Sequence, residues 1–201
     1  MPELHVIGAG GHAKVLVALA RAAGERVVGV WDDRGEGEVL GAAVLGRVED
    51  LPDRVGVRAV VAVGSNAARL RLAGLFRNVS WAALVHPAAW VAPGARLGPG
   101  CVVMAGAVVQ PDACLGAQVI VNTLAGVDHD GLLEDGVHVA PGTRLAGNVT
   151  LREGAFLGVG AACVPGVTVG AWATVGAGAV VTRDVPPGVT VVGVPARLIR
   201  N

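Results

Sequence analysis

Aliphatic side chains recur every six residues through the second half of the chain. Steps of six from Val85 to Val181 meet valine or leucine at every position except Cys163. The same steps taken one residue later meet only one such side chain, Val164, so the period belongs to one register and does not reflect composition. A second column, at the fifth position of each repeat, holds only small residues.

This pattern predicts a parallel β-helix from about Val85 to Val185. A large aliphatic residue and a small one share the interior, and Gly, Pro, Asp and Asn stand at the bends between them. Each coil buries its side chains against the next coil, which no single repeat can do alone. An α-helix is excluded because six is not a multiple of about 3.6 residues per turn and glycine recurs throughout.

The first part of the chain follows a different pattern, which predicts three buried strands and two helices around a glycine-rich turn. The strands are expected at Leu4–Ile7, Arg26–Trp31 and Arg58–Val63, the turn at Gly8–Gly11, and the helices at Ala13–Ala23 and Ala67–Phe76. Val15, Leu16 and Leu19 are expected on the buried side of the first helix. The result is a small α/β unit, about half of a doubly wound, Rossmann-like fold.

The chain therefore divides into two predicted domains, residues 1–80 and residues 81–201. The second comprises the β-helix and a C-terminal tail. Residues 78–83, at the join, lack the composition of a flexible linker, so the two domains are expected to pack against each other.

Sixteen basic and sixteen acidic side chains leave no formal net charge, which argues against nucleic acid or a membrane as a partner. No uncharged apolar run approaches the ~18 residues of a membrane span, and the first residues lack the features of a signal peptide. We therefore expect a cytoplasmic protein with small-molecule partners. The three cysteines match no metal or redox motif, and we interpret them as reduced residues that only fill space: Cys101, Cys114 and Cys163.

The glycine-rich turn is a candidate phosphate site. Gly8 to Ala13 reads GAGGHA and fits the G-x-G-x-x-A form of the dinucleotide motif, with Asp32 near the expected distance. Backbone N–H groups at such a turn can bind phosphate. The domain is too short for both mononucleotide halves, so a single nucleotide diphosphate fits better than NAD. Glycines kept only for strand–helix packing are the alternative.

Polar residues close the next two predicted strands at the same sheet edge. Asp32 and Asp33 follow the second strand, where they can reach a ribose or a base; a solvated turn is the alternative. Gly64 follows the third strand in the segment Gly-Ser-Asn and can line the same crevice. The alternative there is an N-cap for the next helix.

One histidine of the β-helix stands between two aspartates. In the six-residue frame Val127 and Gly131 point inward, so His129 and Asp130 are expected side by side on an outward corner. Asp130 would then hold the imidazole in one tautomer and raise its basicity, as a general base requires. An incidental surface histidine is the alternative. His138 is expected half a coil away, if three repeats make one turn.

The histidines do not favour a metal site. Zinc sites of some hexapeptide-repeat enzymes resemble a close histidine pair plus a third histidine about two coils earlier. The spacing of His86, His129 and His138 does not match that arrangement, and we expect no metal.

The chain resembles, from end to end, the nucleotide-sugar acetyltransferases typified by the bacillosamine-pathway enzyme. That family includes perosamine N-acetyltransferases and proteins labelled sialic acid O-acetyltransferases. The matching segments are GAGGHAKV (8–15), WDD (31–33), AVGSN (62–66), NTLAGVDHD (122–130), HVAPGTRLAGNV (138–149) and VGVPARLI (192–199). Their combination is far more specific than any one of them.

The resemblance implies a left-handed β-helix and a homotrimer with active sites between neighbouring subunits. It implies that His129 is the general base, that Asp130 orients it, and that His138 hydrogen-bonds the acetyl group of acetyl-CoA. Two departures are present: Asp130 stands where glutamate is also found, which shortens its reach, and Ala177 stands where glycine can occur.

The resemblance also assigns contacts to the two substrates. Backbone contacts to acetyl-CoA are implied at Gly147, Val159 and Ala177. The nucleotide of the sugar is implied to lie on Gly10, Gly11 and His12, with Asp32 and Asp33 nearby.

The predicted function is acetyl transfer from acetyl-CoA to the amino group of a nucleotide-linked amino-deoxysugar, of the UDP-4-amino-sugar type. One alternative is O-acetylation of a sugar hydroxyl, as on sialic acid. Another is a non-catalytic, nucleotide-sugar-binding trimer. A dehydrogenase, based on the glycine turn alone, is a more distant alternative.

Overall fold

The computed structural model describes residues 3–199 and contains an α/β part followed by a β-helix. The outermost residues of both predicted domains, 1–2 and 200–201, lie outside the described residues. The α/β part comprises β1 (Glu3–Ile7), α1 (Gly11–Ala22), β2 (Arg26–Trp31), β3 (Glu38–Val39), β4 (Ala42–Gly46), a 3-10 turn (Val48–Asp50), β5 (Arg58–Val61), α2 (Asn66–Ala73) and β6 (Ser80–Trp81). Its strands lie in the order β3-β4-β2-β1-β5-β6, and all neighbours are parallel except β3 and β4.

Two sequence expectations for this part are wrong. Three strands were expected and six are present among the described residues, because β3, β4 and β6 were not predicted. The pair β3 and β4 is short and follows a stretch rich in glycine and charge. Val15 is 45 % exposed. Leu16 and Leu19 are buried as predicted, together with Ala13, Val17 and Ala20, and the three- and four-residue spacing of this set leaves Val15 outside the buried arc.

The β-helix consists of two-residue strands that begin every six residues. They are β7 (Leu84–Val85), β8 (Trp90–Val91), β9 (Arg96–Leu97), β10 (Val102–Val103), β11 (Val108–Val109), β12 (Cys114–Leu115), β13 (Ile120–Val121), β14 (Gly126–Val127), β15 (Leu132–Leu133), β16 (His138–Val139), β17 (Arg144–Leu145), β18 (Thr150–Leu151), β19 (Phe156–Leu157), β20 (Ala162–Cys163), β21 (Thr168–Val169), β22 (Thr174–Val175) and β23 (Val180–Val181). After them, β24 (Thr190–Val192) and β25 (Arg197–Leu198) pair antiparallel.

Each strand pairs in parallel with the strand three repeats away, as Val121 does with Val139. Three faces result: a first face with β7, β10, β13, β16, β19 and β22, a second face with β8, β11, β14, β17, β20 and β23, and a third face with β9, β12, β15, β18 and β21. The predicted aliphatic column is the second residue of each strand, and every member from Val103 to Val181 is buried. The predicted left-handed parallel β-helix of three repeats per coil is confirmed.

The two parts pack directly against each other. Leu84, Val102 and Ile120 of the first face share one buried cluster with Leu16 and Leu19 of α1. This agrees with the expectation from the join, whereas a domain boundary at residue 80 stays a prediction.

One arginine joins the two parts in the interior. Arg69 of α2 is 1 % exposed. It donates to the carbonyl oxygens of Gln118 (2.8 Å) and Gly136 (2.7 Å) in the β-helix and to Oδ1 of Asn66 (3.0 Å) in its own helix. No carboxylate of residues 3–199 forms a salt bridge with it. Burial lowers the pKa of Arg69 to about 10, so the guanidinium stays charged at neutral pH.

The cysteines are free thiols. Burial raises the pKa of Cys101 to about 11 and that of Cys163 to about 12, so both are unreactive thiols at neutral pH. None of the helices in residues 3–199 is long and apolar enough to cross a membrane.

Candidate active site

The loop after β14 forms a corner between the second and third faces, and it carries His129. Val127 before it is fully buried, Gly131 after it is buried, and His129 and Asp130 are exposed. Asp130 has φ 57°, a left-handed conformation that aspartate tolerates better than most residues. The predicted outward corner is therefore confirmed.

At this corner His129 is held in a defined orientation. Its Nδ1 lies 2.8 Å from Oδ2 of Asp130, and its backbone N–H donates to Oδ1 of Asp128 at 2.7 Å. The hydrogen bond with Asp130, together with the charges of Asp128 and Asp130, raises the pKa of His129. In the neutral ring, a hydrogen on Nδ1 facing the carboxylate leaves Nε2 as a free acceptor. That is the form a general base needs.

Gly147 lies one coil further on, directly beside the imidazole. A Cβ at this position would be 2.5 Å from both Cε1 and Nε2 of His129. The absence of a side chain at Gly147 is therefore what leaves room for the ring in this orientation. Besides its implied contact with acetyl-CoA, Gly147 has a steric reason to be glycine.

Gly147→Ala is expected to lower kcat by about 10- to 100-fold with little change in stability. The added methyl group displaces the exposed His129 ring, and a misplacement of about 1 Å is enough for such a loss. Steady-state kinetics together with thermal unfolding would check this. A variant with wild-type kcat would show that the ring position seen here is not the working one.

His138 lies elsewhere, on the first face at the start of β16, and only 8 % of it is exposed. Its Nε2 is 3.1 Å from Nδ2 of Asn122, and its ring contacts Phe156 edge-on, with centroids 5.3 Å apart. The ring of His12 lies 6.5 Å away, centroid to centroid. Burial, followed by the nearby charges of Arg69 and His12, lowers the pKa of His138 to about 4.

Because His138 is buried in its neutral form, we expect the folded protein to lose stability in acid. The unfolded chain binds a proton at this residue below about pH 6.5, whereas the folded chain does so only near pH 4. Stability from this residue is therefore constant above pH 6.5 and falls by about 3 kcal/mol as the pH drops to 4. Burial also lowers the pKa of His12, which acts in the same direction.

Urea unfolding at pH 7 and pH 4.5 would measure this loss. His138→Gln should lose less stability between the two pH values than the wild type. His86→Gln, at a half-buried position in a turn of the first coil, should behave like the wild type. An equal loss in all three proteins would contradict the assignment.

A third group of residues surrounds the glycine turn at the start of α1. A cavity of about 400 Å³ there is lined by both glycines and by four charged side chains, namely Gly10, Gly11, Lys14, Arg34, Glu36 and Glu38. The side chain of His12 does not line it, because that ring lies against His138 on the β-helix. The assignment of His12 to the nucleotide therefore stays a prediction.

Of the other residues assigned to the nucleotide, Asp32 and Gly64 form hydrogen bonds within the protein, whereas Asp33 does not line the cavity. Asp32 accepts hydrogen bonds from the Ala9 amide (2.8 Å) and from Arg34 Nε (2.8 Å). Asp33 is exposed and outside the cavity lining. The Gly64 carbonyl accepts a hydrogen bond from Arg69, and Ser65 caps α2 through the Ala68 amide at 3.4 Å, the alternative weighed for this segment.

Sequence reasoning missed Lys14 and Arg34. Both were readable as basic residues next to known features: Lys14 lies one helical turn after the glycines, and Arg34 lies two residues after Asp32. The signal was overlooked because the glycine motif itself does not include a cation.

The site residues do not converge within one chain. His129, Asp130 and Gly147 share the corner between the second and third faces, whereas Val159 and Ala177 lie, exposed, at the corner between the first and second faces. The Gly178 N–H donates to the Val159 carbonyl at 2.8 Å, which stacks these two coils. Within residues 3–199, no cluster of three or more His, Cys, Asp or Glu side chains is arranged to hold a metal ion.

Two acetyltransferases of known structure are similar to this chain over nearly its whole length. Residues 3–75 match the model of the PglD N-terminal domain. The acetyltransferase domain of PglB from Neisseria gonorrhoeae is 43 % identical, with a TM-score of 0.93 over 99 % of this chain and 100 % of that one. A perosamine N-acetyltransferase variant from Caulobacter crescentus, solved with CoA and GDP-perosamine, is 42 % identical, with a TM-score of 0.95 over 99 % and 97 %.

Other curated proteins match this chain over only part of their own length. Serine acetyltransferase from Escherichia coli is 34 % identical over 139 residues, which is 67 % of this chain and 45 % of that protein. The chain spans less than half of the length of the curated relatives it matches.

Proposed function

Because the chain belongs to the hexapeptide-repeat sugar N-acetyltransferases, we propose that it transfers acetyl from acetyl-CoA to the amino group of a nucleotide-linked amino-deoxysugar. The observation that carries this proposal is the His129–Asp130 pair at 2.8 Å, exposed on a corner of the β-helix, in a chain that also has a glycine-turn cavity lined by Lys14 and Arg34. A general base and a nucleotide site are the two parts that this reaction needs from the protein.

In the proposed mechanism, Nε2 of His129 takes a proton from the sugar amine as the nitrogen attacks the thioester carbonyl. A C–N bond forms, the C–S bond of acetyl-CoA breaks, and the imidazolium returns the proton to the departing thiolate. Asp130 holds Nδ1–H throughout and stabilises the transient positive charge. The products are an N-acetyl sugar and free CoA.

The family resemblance implies a homotrimer, and the separation of the corners supports an active site that uses two of its copies. The corner with His129 in one copy would face the corner with Val159 and Ala177 of its neighbour, across their second faces. Acetyl-CoA would then lie between them, in contact with the Gly147, Val159 and Ala177 backbones. A direct contact between His138 and the acetyl group stays a prediction, as does a cytoplasmic location.

The test is release of free thiol from acetyl-CoA with a panel of UDP-, GDP- and CMP-linked sugars. Thiol release with nucleotide-linked amino sugars supports the proposal. Thiol release only with sugars that offer a hydroxyl group as acceptor, such as sialic acid, would favour O-acetylation. No acetyl-CoA binding by calorimetry would favour a non-catalytic nucleotide-sugar binder, and NADH fluorescence on binding would favour a dehydrogenase. The perosamine enzyme bound to GDP-perosamine favours the amino acceptor.

Asp130→Asn is expected to move the acidic limb of the pH profile of kcat/KM to lower pH. The base works only when neutral, and Asp130 raises the pKa of His129, so loss of the carboxylate lowers that pKa. The plateau should also fall, because the ring loses the partner that sets its tautomer. An unchanged acidic limb would indicate that another group titrates.

A further inference from the structure

The carboxylate of Asp32 is occupied by the protein itself. Its Oδ2 accepts from the Ala9 amide at 2.8 Å, and its Oδ1 accepts from the Arg34 amide at 3.2 Å and from Arg34 Nε at 2.8 Å. Partial burial by itself raises the pKa of Asp32, but these hydrogen bonds lower it below the ordinary value. An aspartate at the end of the second strand usually binds ribose in dinucleotide folds. Here, both oxygens are already engaged.

These contacts fix the position of Arg34. Besides its bond from Nε to Asp32, the guanidinium donates from Nη2 to the Ala9 carbonyl at 2.8 Å. Nη1 has no hydrogen-bond partner among residues 3–199, and Arg34 lines the glycine-turn cavity. An arginine that is already held in place loses less conformational freedom when it binds an anion.

The glycine turn lines the same cavity and offers uncapped backbone amides. Gly10, the N-cap of α1, makes no side-chain cap, and the first turn contains no acidic residue. Neither the Gly10 nor the Gly11 amide donates a hydrogen bond within residues 3–199, and a Cβ at either position would meet nothing within 4 Å, so both amides can donate to a ligand. Lys14 follows one turn later and lines the same cavity. Free amides, the positive end of a helix dipole and two cations together suit a diphosphate.

The lining as a whole is not simply basic. Glu36 and Glu38 balance Lys14 and Arg34 in formal charge. General attraction of anions is therefore small, and affinity for a phosphate has to come from directed contacts with the fixed guanidinium and the open amides.

We infer that Arg34 and Lys14 bind the diphosphate of the nucleotide sugar, and that Asp32 is a positioning residue for Arg34 and does not bind the ribose. The inference rests on the proposed function, because it assumes that the cavity takes a nucleotide. It assigns roles to two residues outside the glycine motif and changes the role of a third.

Calorimetry on the full chain tests this with UDP against uridine and GDP against guanosine. In the wild type, whichever of UDP and GDP binds more tightly should bind at least about tenfold more tightly than its own nucleoside. Arg34→Gln should remove most of that advantage. The matched control is Arg47→Gln, because Arg47 is similarly exposed, pairs with Glu49 and does not line the cavity.

Asp32→Ala separates positioning from ribose binding. We expect it to reduce the diphosphate advantage as Arg34→Gln does, with nucleoside binding unchanged, and the double variant should lose no more than Arg34→Gln alone. If Asp32→Ala weakens the binding of nucleoside and of nucleoside diphosphate equally, Asp32 is not a positioning residue. If Arg34→Gln keeps the full preference for the diphosphate, Arg34 does not bind it. If the wild type binds neither diphosphate, the proposed function fails as well.

Discussion

His129→Ala is expected to lower kcat by about 10²- to 10⁴-fold, the range associated with loss of a general base. The side chain is 57 % exposed and its main partners are the neighbouring aspartates, so its removal leaves no cavity or orphaned group. The expected result is therefore a folded protein that still binds nucleotide sugar and acetyl-CoA. Thiol release under saturating substrates measures the loss.

The matched control for this variant is His86→Ala. His86 also belongs to the β-helix, where its Nδ1 accepts from the Ala88 amide at 3.0 Å within a turn. It should retain wild-type kcat. If His129→Ala retains it too, the His129–Asp130 pair is not the catalytic base and the proposed mechanism is wrong.

Arg69→Met is expected to lower the free energy of unfolding by about 3 kcal/mol, since several buried acceptors lose their donor at about 1–3 kcal/mol each, partly offset by relief of the buried charge. The acceptors include the carbonyls of Gln118 and Gly136, which lie in the β-helix. The loss therefore falls on the contact between the two parts of the chain. Urea unfolding, followed by tryptophan fluorescence, measures it.

Arg71→Met is the control for that experiment. It places the same substitution on the same helix at an exposed position, where a change of less than about 0.5 kcal/mol is typical. Equal stabilities of the two variants would mean that the carbonyls around Arg69 find water or other donors when the guanidinium is removed.

Much of the site was predictable from sequence because the β-helix repeats its geometry. Once Val127 is assigned to the interior, the six-residue frame places His129 and Asp130 on a corner without any long-range information. The segment matches identified the family in the same way, because they are local. The glycine turn, the N-cap at Ser65 and the first two strands were also readable from neighbouring residues.

The features that the sequence did not reveal depend on partners in other parts of the chain. Val15 was placed on the buried face because the sequence shows which residues are apolar and not which side of α1 meets the β-helix. The assignment of His12 to the nucleotide stays a prediction, and the position of its ring 6.5 Å from that of His138 was not foreseen. The assignment of Asp32 to the ligand stays a prediction, and its hydrogen bond from the Ala9 amide was not foreseen.

By itself, the sequence determined the six-residue repeat with its buried aliphatic column, the outward corner of His129 and Asp130, and the order of an α/β unit before a β-helix. These follow from burial and turn chemistry within one or two repeats. Only the tertiary structure decided that Arg69 joins the two parts, that His138 is buried beside His12, and that Arg34 is fixed over the glycine turn. The reason is physical: these contacts join residues 25 to 126 positions apart, and no local pattern records which distant groups meet when two surfaces pack.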